Sequence, residues 1–439
     1  MAPGGARVLV VGGGAREHAL VWKLAASPHV GALACAPGNP GIAELATVLP
    51  VAADDVPGLI AAARDWAADL VVIGPEAALA AGLADALTDV GIAVAGPTRQ
   101  AARLESSKAF AKEVMSAAGV PTAAYRAFTD APAAEAYVRA AALPLVVKAD
   151  GLAAGKGVVV CTTRAEALAA VRAALRDRVF GAAGDRVVIE ECLQGEEVSV
   201  LALAVGRQVM PLLPAQDHKR LLDGDLGPNT GGMGAVAPSA VLTAAELQEV
   251  RRTILEPTLA VLADQGIAYR GVLYAGLMRT AQGLRVLEFN CRFGDPEAQV
   301  LLPLLATDLY ELLAACAAGE LPSGPLRWHA GAAAGVTLAA PGYPDAPRLG
   351  EPITFDPTIP DGVTVFHGGV GRDAAGGLVT AGGRVVTVVG RGATVAEALA
   401  RCLPPPLRFP GMHYRRDIGA QAHPAHRRKI APTPSLTHG

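Results

Sequence analysis

The sequence predicts a multidomain chain, α/β at its N-terminus, α+β in the middle and β-rich towards its end. Three observations point there. The first hundred residues alternate short apolar strands with helical spacing. Helix and strand periods then mix as far as about residue 330, and Gly- and Pro-punctuated strands dominate after that. At 439 residues the chain exceeds one ordinary domain, since roughly 100–200 residues per domain gives two to four.

In the first stretch, residues 1–103, Arg7–Val11 reads as a buried strand that runs into Gly12-Gly13-Gly14. Glu17–Ala26 follows with helical spacing, and Asp69–Ile73 and Ile92–Ala95 are further buried strands, each ending at a Gly-Pro. Strand–turn–helix repetition implies a parallel sheet with helices on both faces, a Rossmann-like domain. Gly12 and Gly14 invite a dinucleotide reading, but Glu17 replaces the third glycine and would set a carboxylate beside a pyrophosphate. A nicotinamide cofactor is therefore disfavoured.

The middle stretch, 104–330, begins with a helix capped at Ser106-Ser107, carrying Phe110, Val114 and Met115 and ending at Gly119-Val120-Pro121. Strands at Leu145–Lys148, Val158–Cys161, Val187–Glu191 and Val198–Val205 are mixed with helices, and about 122–192 forms a smaller subdomain. After the breakers of Leu321–Pro325 the strands Ala332–Leu338, Val363–His367 and Arg384–Val389, with a helix at Val395–Leu403, make a β-rich domain over 331–419. Residues 420–439 turn to His, Pro, Arg and Thr without periodicity and are expected to be disordered.

Bulk properties exclude several classes. A net charge of −3 offers no basic field for nucleic acid and no polybasic membrane signal. The apolar run Ala330–Ala340 is far short of the roughly 20 residues a bilayer needs. Val8–Val11 runs straight into glycines, unlike a signal peptide. Six cysteines without CxxC spacing suit a reduced, cytoplasmic enzyme. Only seven of the 38 basic residues are lysine, and four of those, Lys108, Lys148, Lys156 and Lys219, fall in Gly- or polar-rich segments, where a compact ammonium has been chosen over arginine.

Four segments carry candidate chemistry. Arg285–Gln299 reads RVLEFNCRFGDPEAQ. Its strand alternation sets Glu288 and Asn290 on one face, with Arg292 following if the strand continues that far. Hard oxygens on a strand suit Mg²⁺ beside phosphate, though a half-exposed strand with a surface ion pair gives the same pattern. Leu145–Cys161, LVVKADGLAAGKGVVVC, is not a P-loop: the glycine spacing is one residue short, no Ser or Thr follows Lys156, and a strand comes next. It is a Gly-rich hairpin able to fold over phosphates, or an ordinary flexible one. In Val187–Val200, VVIEECLQGEEVSV, a short connection between strands can bond an adenine edge, or its four acidic residues are a solvated face. Gln216–Gly234, QDHKRLLDGDLGPNTGGMG, is a long polar loop with no core to build, which favours substrate binding over a passive role. His218 in it reads as a hydrogen-bonding partner.

In this order the segments resemble the glycinamide ribonucleotide synthetases, or phosphoribosylamine–glycine ligases, of the ATP-grasp superfamily. The matching runs are VGGGAREHAL (11–20), PGNPG (37–41), IGPE (73–76), SSKAFAK (106–112), VVKADGLAAGKGV (146–158) and VIEECLQGEEVSV (188–200). QDHKRLLDGDLGPNTGGMGAVAP (216–238), GVLYAGLM (271–278) and EFNCRFGDPEAQ (288–299) complete a likeness over about 7–419. It implies ATP-grasp central domains between the Rossmann-like and β-rich ones. It also implies ligation of glycine to 5-phosphoribosylamine by a monomer, with ATP as co-substrate and Mg²⁺ or Mn²⁺ as metal. By resemblance Lys108 and Lys148 hold the ATP phosphates under the loop Gly151, Gly155, Lys156 and Gly157. Glu190 and Leu193 meet adenine largely through backbone groups, Glu197 the ribose, and Glu288 and Asn290 the metal. Arg292 and Asp295 are catalytic, and Asp217, Lys219 and Arg292 contact substrate.

The residue types make chemical sense. A carboxylate must be phosphorylated before an amine can attack it, and phosphoryl transfer needs charge neutralisation and alignment rather than a covalent nucleophile. Another ATP-grasp carboxylate–amine ligase would share Lys148, Glu197, Glu288 and Asn290 but lack the DHKR and RFGDPE runs. Against a non-catalytic nucleotide-binding protein stands the intact set of metal and phosphate groups.

Overall fold

A computed structural model describes residues 4–153 and 157–420. Gly155, Lys156 and residues 421–439 of the expected tail lie outside the described residues. Five parallel strands come first, β1 (Ala6–Gly12), β2 (Val30–Pro37), β3 (Thr47–Val48), β4 (Leu70–Ile73) and β5 (Ala93–Ala95), in the order β3-β2-β1-β4-β5. Alternate residues of β1 serve two cores because successive side chains point to opposite faces. Val8 and Val10 pack with Ala19, Leu20 and Leu24 of the helix Ala15–Ala25, while Leu9 and Val11 pack with Leu59, Leu79 and Leu83. Burial on both faces is why the strand reads as an unbroken apolar run.

The next sheet is antiparallel and smaller: β6 (Tyr125–Phe128), β7 (Leu145–Ala149), β8 (Val158–Cys161) and β9 (Val187–Glu191), ordered β6-β9-β7-β8. Val147 and Ile189 turn into a core with Val138 and Val171 from the helices Ala131–Ala140 and Arg164–Leu175. By alternation their neighbours Lys148 and Glu190 turn to the opposite face.

The chain then crosses to a second antiparallel sheet through β10 (Glu196–Val205) and β11 (Gln208–Pro211). Four short strands follow, β12 (Gln216–Asp217), β13 (Arg220–Leu222), β14 (Leu226–Asn229) and β15 (Gly234–Ala237), before β16 (Arg270–Thr280) and β17 (Gly283–Asn290). The second sheet is ordered β11-β10-β16-β17. Val198 and Val200 of β10 face a core with Val114 and Leu273. Leu201 and Leu203 face the core that also holds Val8 and Val10, with Leu301 and Leu312 between. The N-terminal and large central sheets are thus joined through one apolar core.

Two expectations are corrected here. β17 ends at Asn290, so Arg292 does not continue the strand but lies in the turn beyond it. Segment 216–234, expected as a loop with no core to build, is mostly strand: β13 and β14 form a hairpin, and β12 and β15 extend the last sheet. That sheet runs β12, β15, β18 (Ala332–Ala339), Arg384–Gly392 and Val363–His367, all antiparallel. Among the described residues no helix is long and apolar enough to cross a membrane.

Candidate active site

Where the two central sheets meet, Glu190 lies between two lysines. Its Oε2 is 2.9 Å from Lys148 Nζ and its Oε1 3.2 Å from Lys112 Nζ, and all three side chains are almost wholly buried. A buried ion pair holds together only when further hydrogen bonds satisfy the remaining donors. Lys112 Nζ donates to Thr122 Oγ1 at 2.7 Å, and Lys148 Nζ to the Leu287 carbonyl at 3.2 Å. Leu287 is available because β17 shifts register there, Leu277 pairing with Val286 but Gly276 with Glu288. The extra residue is left out of the ladder, and its carbonyl accepts from the lysine. Lys112 received no role from the sequence, although it stands one helical turn after Lys108 in a chain that uses lysine sparingly.

Burial, against the attraction of Glu190, pulls the Lys112 ammonium down to about 8. In an unfolded chain a lysine titrates near about 10.4. Between those values the unfolded chain binds more protons, so this group makes stability rise with pH there. Denaturant unfolding at about pH 7.5 and 9.5 should therefore show wild type gaining stability relative to Lys112→Met as pH rises. Two curves that shift in parallel would remove that assignment.

Lys108 opens the helix Lys108–Ala117, whose N-cap Ser107 accepts from Phe110 N at 3.2 Å. Asp150, just past β7, fastens this helix to the hairpin: it accepts from Ala109 N at 2.7 Å and from Ser107 Oγ at 3.1 Å. Lys108 Nζ in turn donates to the Gly151 carbonyl at 3.1 Å. Gly151 itself is tightly packed. Its N–H donates to the Ala183 carbonyl at 3.1 Å, and a methyl group on it would stand 2.6 Å from Ala183 Cβ. It is a close-packing glycine that holds a lysine. Gly157 passes its carbonyl to Ala149 N at 2.8 Å, closing the hairpin base.

Glu288 and Asn290 keep regular register on β17, opposite Gly276 and Tyr274, so both oxygens project to one side. Burial would raise the Glu288 carboxyl, but Lys219, Lys148, Lys108 and Arg292 more than offset it and hold it below the usual carboxylate range. Lys219 Nζ is 2.9 Å from Glu197 Oε2 and 3.8 Å from Glu288 Oε1. Burial would lower Lys219, yet Glu197 and Glu288 keep it well above an ordinary lysine. Two hard oxygens facing a ring of cations fit a divalent ion shared with phosphate. Of the four acidic residues taken for a solvated face, Glu190 is buried, Glu191 accepts from Ala124 N at 2.9 Å and Glu197 binds Lys219. The Glu190 backbone lies inside the sheet, in register with Tyr125 and Val146, whereas Leu193 stands in the connection beyond the end of β9.

The RFGDPE turn is held from three domains. Arg292 is 2.9 Å from Glu105 and 3.3 Å from Glu76, and donates to Asn290 Oδ1 at 3.4 Å. Asp295 is 2.9 Å from Arg384 and accepts from Gln299 at 2.6 Å. Arg384, from the last sheet, also donates to the Asp295 and Gly231 carbonyls at 3.0 and 2.6 Å. Asp217 faces the same turn. Burial, then Glu297, raise its carboxyl well above the usual range, with Lys219 and Arg384 opposing. Its buried Oδ1 has no hydrogen-bond partner among the described residues. Glu297 accepts from Ser199 Oγ at 2.8 Å and Tyr274 OH at 2.7 Å. Arg384 and Glu105 carry no local sequence signal, since each reaches the site from a distant element, and Glu76, the last residue of the IGPE run, received no role from the sequence.

Comparison with known proteins agrees with this geometry. Residues 106–298 match the description "Phosphoribosylglycinamide synthetase, ATP-grasp (A) domain", residues 6–105 the N domain and residues 333–421 the C domain of the same family. A phosphoribosylamine–glycine ligase from Nostoc sp. is 52% identical over 422 residues, covering 94% of this chain and 99% of that protein. A crystal structure of the phosphoribosylamine–glycine ligase from Thermotoga maritima superposes with a TM-score of 0.82 at 34% identity, over 94% of this chain and all of that one. The biotin carboxylase domain of the Hydrogenobacter thermophilus 2-oxoglutarate carboxylase, solved with MgADP, has a TM-score of 0.74 at 18% identity over 93% of this chain and 91% of its own, a likeness of fold. With all three domains matched in order and a relative 52% identical along almost the whole chain, the chain belongs to the phosphoribosylglycinamide synthetase family.

Proposed function

We propose that this chain ligates glycine to 5-phosphoribosylamine, converting ATP to ADP and phosphate and releasing glycinamide ribonucleotide, the reaction that its similar ligases carry in their names. One observation carries the reading. Lys108, Lys148 and Lys219, from three separate stretches, converge on Glu288 beside a buried Asp217 oxygen with no partner among the described residues.

In that reading Lys108 and Lys148 take the ATP phosphates, and Glu190 keeps Lys148 aimed from below. Leu193, beyond the strand end, offers backbone groups to adenine, and Glu197 the ribose contact. Glu288 and Asn290 hold Mg²⁺ or Mn²⁺, which when bound neutralises charge on the transferring phosphoryl group. Asp217 accepts a hydrogen bond from the glycine ammonium. Arg292, braced by Glu105 and Glu76, meets the glycine carboxylate as it takes the γ-phosphoryl group, and Asp295, braced by Arg384 and Gln299, holds the turn that aims it. The phosphoribosylamine nitrogen then attacks the glycyl carbonyl carbon: the new C–N bond forms, the C–O bond to phosphate breaks, and the proton lost by the amine is taken up by the departing phosphate. Exclusion of water from the site protects glycyl phosphate from hydrolysis. A single copy carries every residue used, so a monomer suffices, and nothing in the site calls for nucleic acid.

Purified protein should release ADP only when glycine, 5-phosphoribosylamine and Mg²⁺ are all present. Folded protein that releases none with the full set, or as much with another amino acid in place of glycine, would end the assignment.

A further inference from the structure

We infer that Arg415 is a positioning residue for this reaction, and that the segment 413–419 is a strap holding the β13–β14 hairpin so that Asp217 and Lys219 face the site. The inference rests on the ligase reading for its kinetic consequence, and on geometry alone for the strap.

A two-stranded hairpin is marginal in water without outside support. This one carries Leu222 and Leu226 exposed at its end, so its own packing does little to place it. The strap supplies what is missing. Arg415, 1% exposed at its side chain, sends Nη1 to Asp225 Oδ1 at 2.8 Å and to the Arg220 carbonyl at 3.1 Å. Its Nε and Nη2 grip Asp417 in a two-pronged fork, both at 2.8 Å.

The remaining contacts line up along the hairpin. Gly224 N donates to Asp417 Oδ2 at 2.8 Å and Arg416 N to Asp223 Oδ1 at 2.9 Å. His413 Nε2 lies 2.8 Å from the Leu221 carbonyl, and Gly419 N donates to His218 Nε2 at 3.0 Å. That last bond needs a neutral imidazole, and burial together with nearby Arg415 pulls His218 down to about 4. His218 and Arg220 flank Lys219, and His218 follows Asp217. The strap therefore grips His218, which lies between the two substrate groups, and Arg220, which follows the second of them.

A planar guanidinium is what this arrangement requires, because it bonds two carboxylates and a carbonyl at once. Arg415→Met in the full chain is expected to raise the KM for glycine about ten-fold or more, the cost of losing charge-assisted bonds, with the KM for ATP within about two-fold of wild type. Arg415→Lys should recover part of that loss. Hydrogen exchange should show faster opening of the amides of His218, Thr230 and Met233, a readout that holds whatever the substrates are. Wild-type turnover tests the ligase reading separately. A wild-type glycine KM and unchanged exchange in folded Arg415→Met would overturn the strap. If that variant does not fold, Asp225→Asn, which leaves the Asp417 fork intact, should raise the glycine KM about three-fold. Wild-type constants there would overturn the inference equally.

Discussion

Turnover of Glu288→Gln is expected to fall about 100-fold or more at ordinary Mg²⁺, the scale of losing one electrostatic group aimed at a transition state. The amide keeps the shape and one oxygen but removes the charge. Lys219, Lys148, Lys108 and Arg292 then lose the anion that they surround, and their free charge should grip nucleotide phosphates at least as well as before. The expected pattern is thus specific: ATP binding retained, turnover lost, and part of the activity recovered as Mg²⁺ is raised. Nucleotide binding measured by calorimetry, and rates across a Mg²⁺ titration, check it. Unchanged activity at ordinary Mg²⁺ would show that the metal role belongs elsewhere.

Gly232→Ala should cost about 100-fold in turnover with little loss of overall fold, as a displacement near 1 Å at a reacting group can. Gly232 has φ of +115°, a conformation that L side chains rarely adopt. A methyl group there would stand 2.5 Å from Pro296 Cδ and 2.7 Å from Asp217 Oδ1. It would drive a wedge between the segment bearing Asp217 and the RFGDPE turn, the two walls where glycine is proposed to sit. Steady-state kinetics beside thermal unfolding separate the effects: kcat should fall while the melting temperature moves by only a few degrees. A near-normal kcat would mean that Asp217 and the turn need not keep their spacing.

What was legible in the sequence was local. β1 with its glycine turn, the capped helix at Ser107 and the β7–β8 hairpin each announce themselves within a dozen residues, through apolar period and turn chemistry. Glu288 and Asn290 were placed on one face by alternation alone. What escaped was set by long-range contact. Arg384 meets Asp295 across 89 positions, and Arg415 meets Asp225 across 190. The shift at Leu287 that turns a carbonyl to Lys148 depends on pairing with β16, which no pattern in β17 reveals. In segment 216–234 the β13–β14 hairpin pairs only with itself, and β12 pairs with β15, which in turn needs β18 about a hundred residues on to join it to a sheet. The packing of Ala183 against Gly151 is likewise absent from any local pattern.

The interlacing of β12 and β15 with the final sheet bears on how such a chain can be inherited. Read along the gene, the last hundred residues look like a module that a single crossover near residue 330 could exchange. In space, two strands of that module are encoded more than ninety residues upstream, and Arg384 and Arg415 reach back to the same stretch. A transplanted C-terminal module would meet a foreign edge at β15 and foreign carboxylates at positions 225 and 295. The excursion 216–237 and the terminal sheet thus form one unit of variation, and substitutions on either side of that seam must be accommodated by the other.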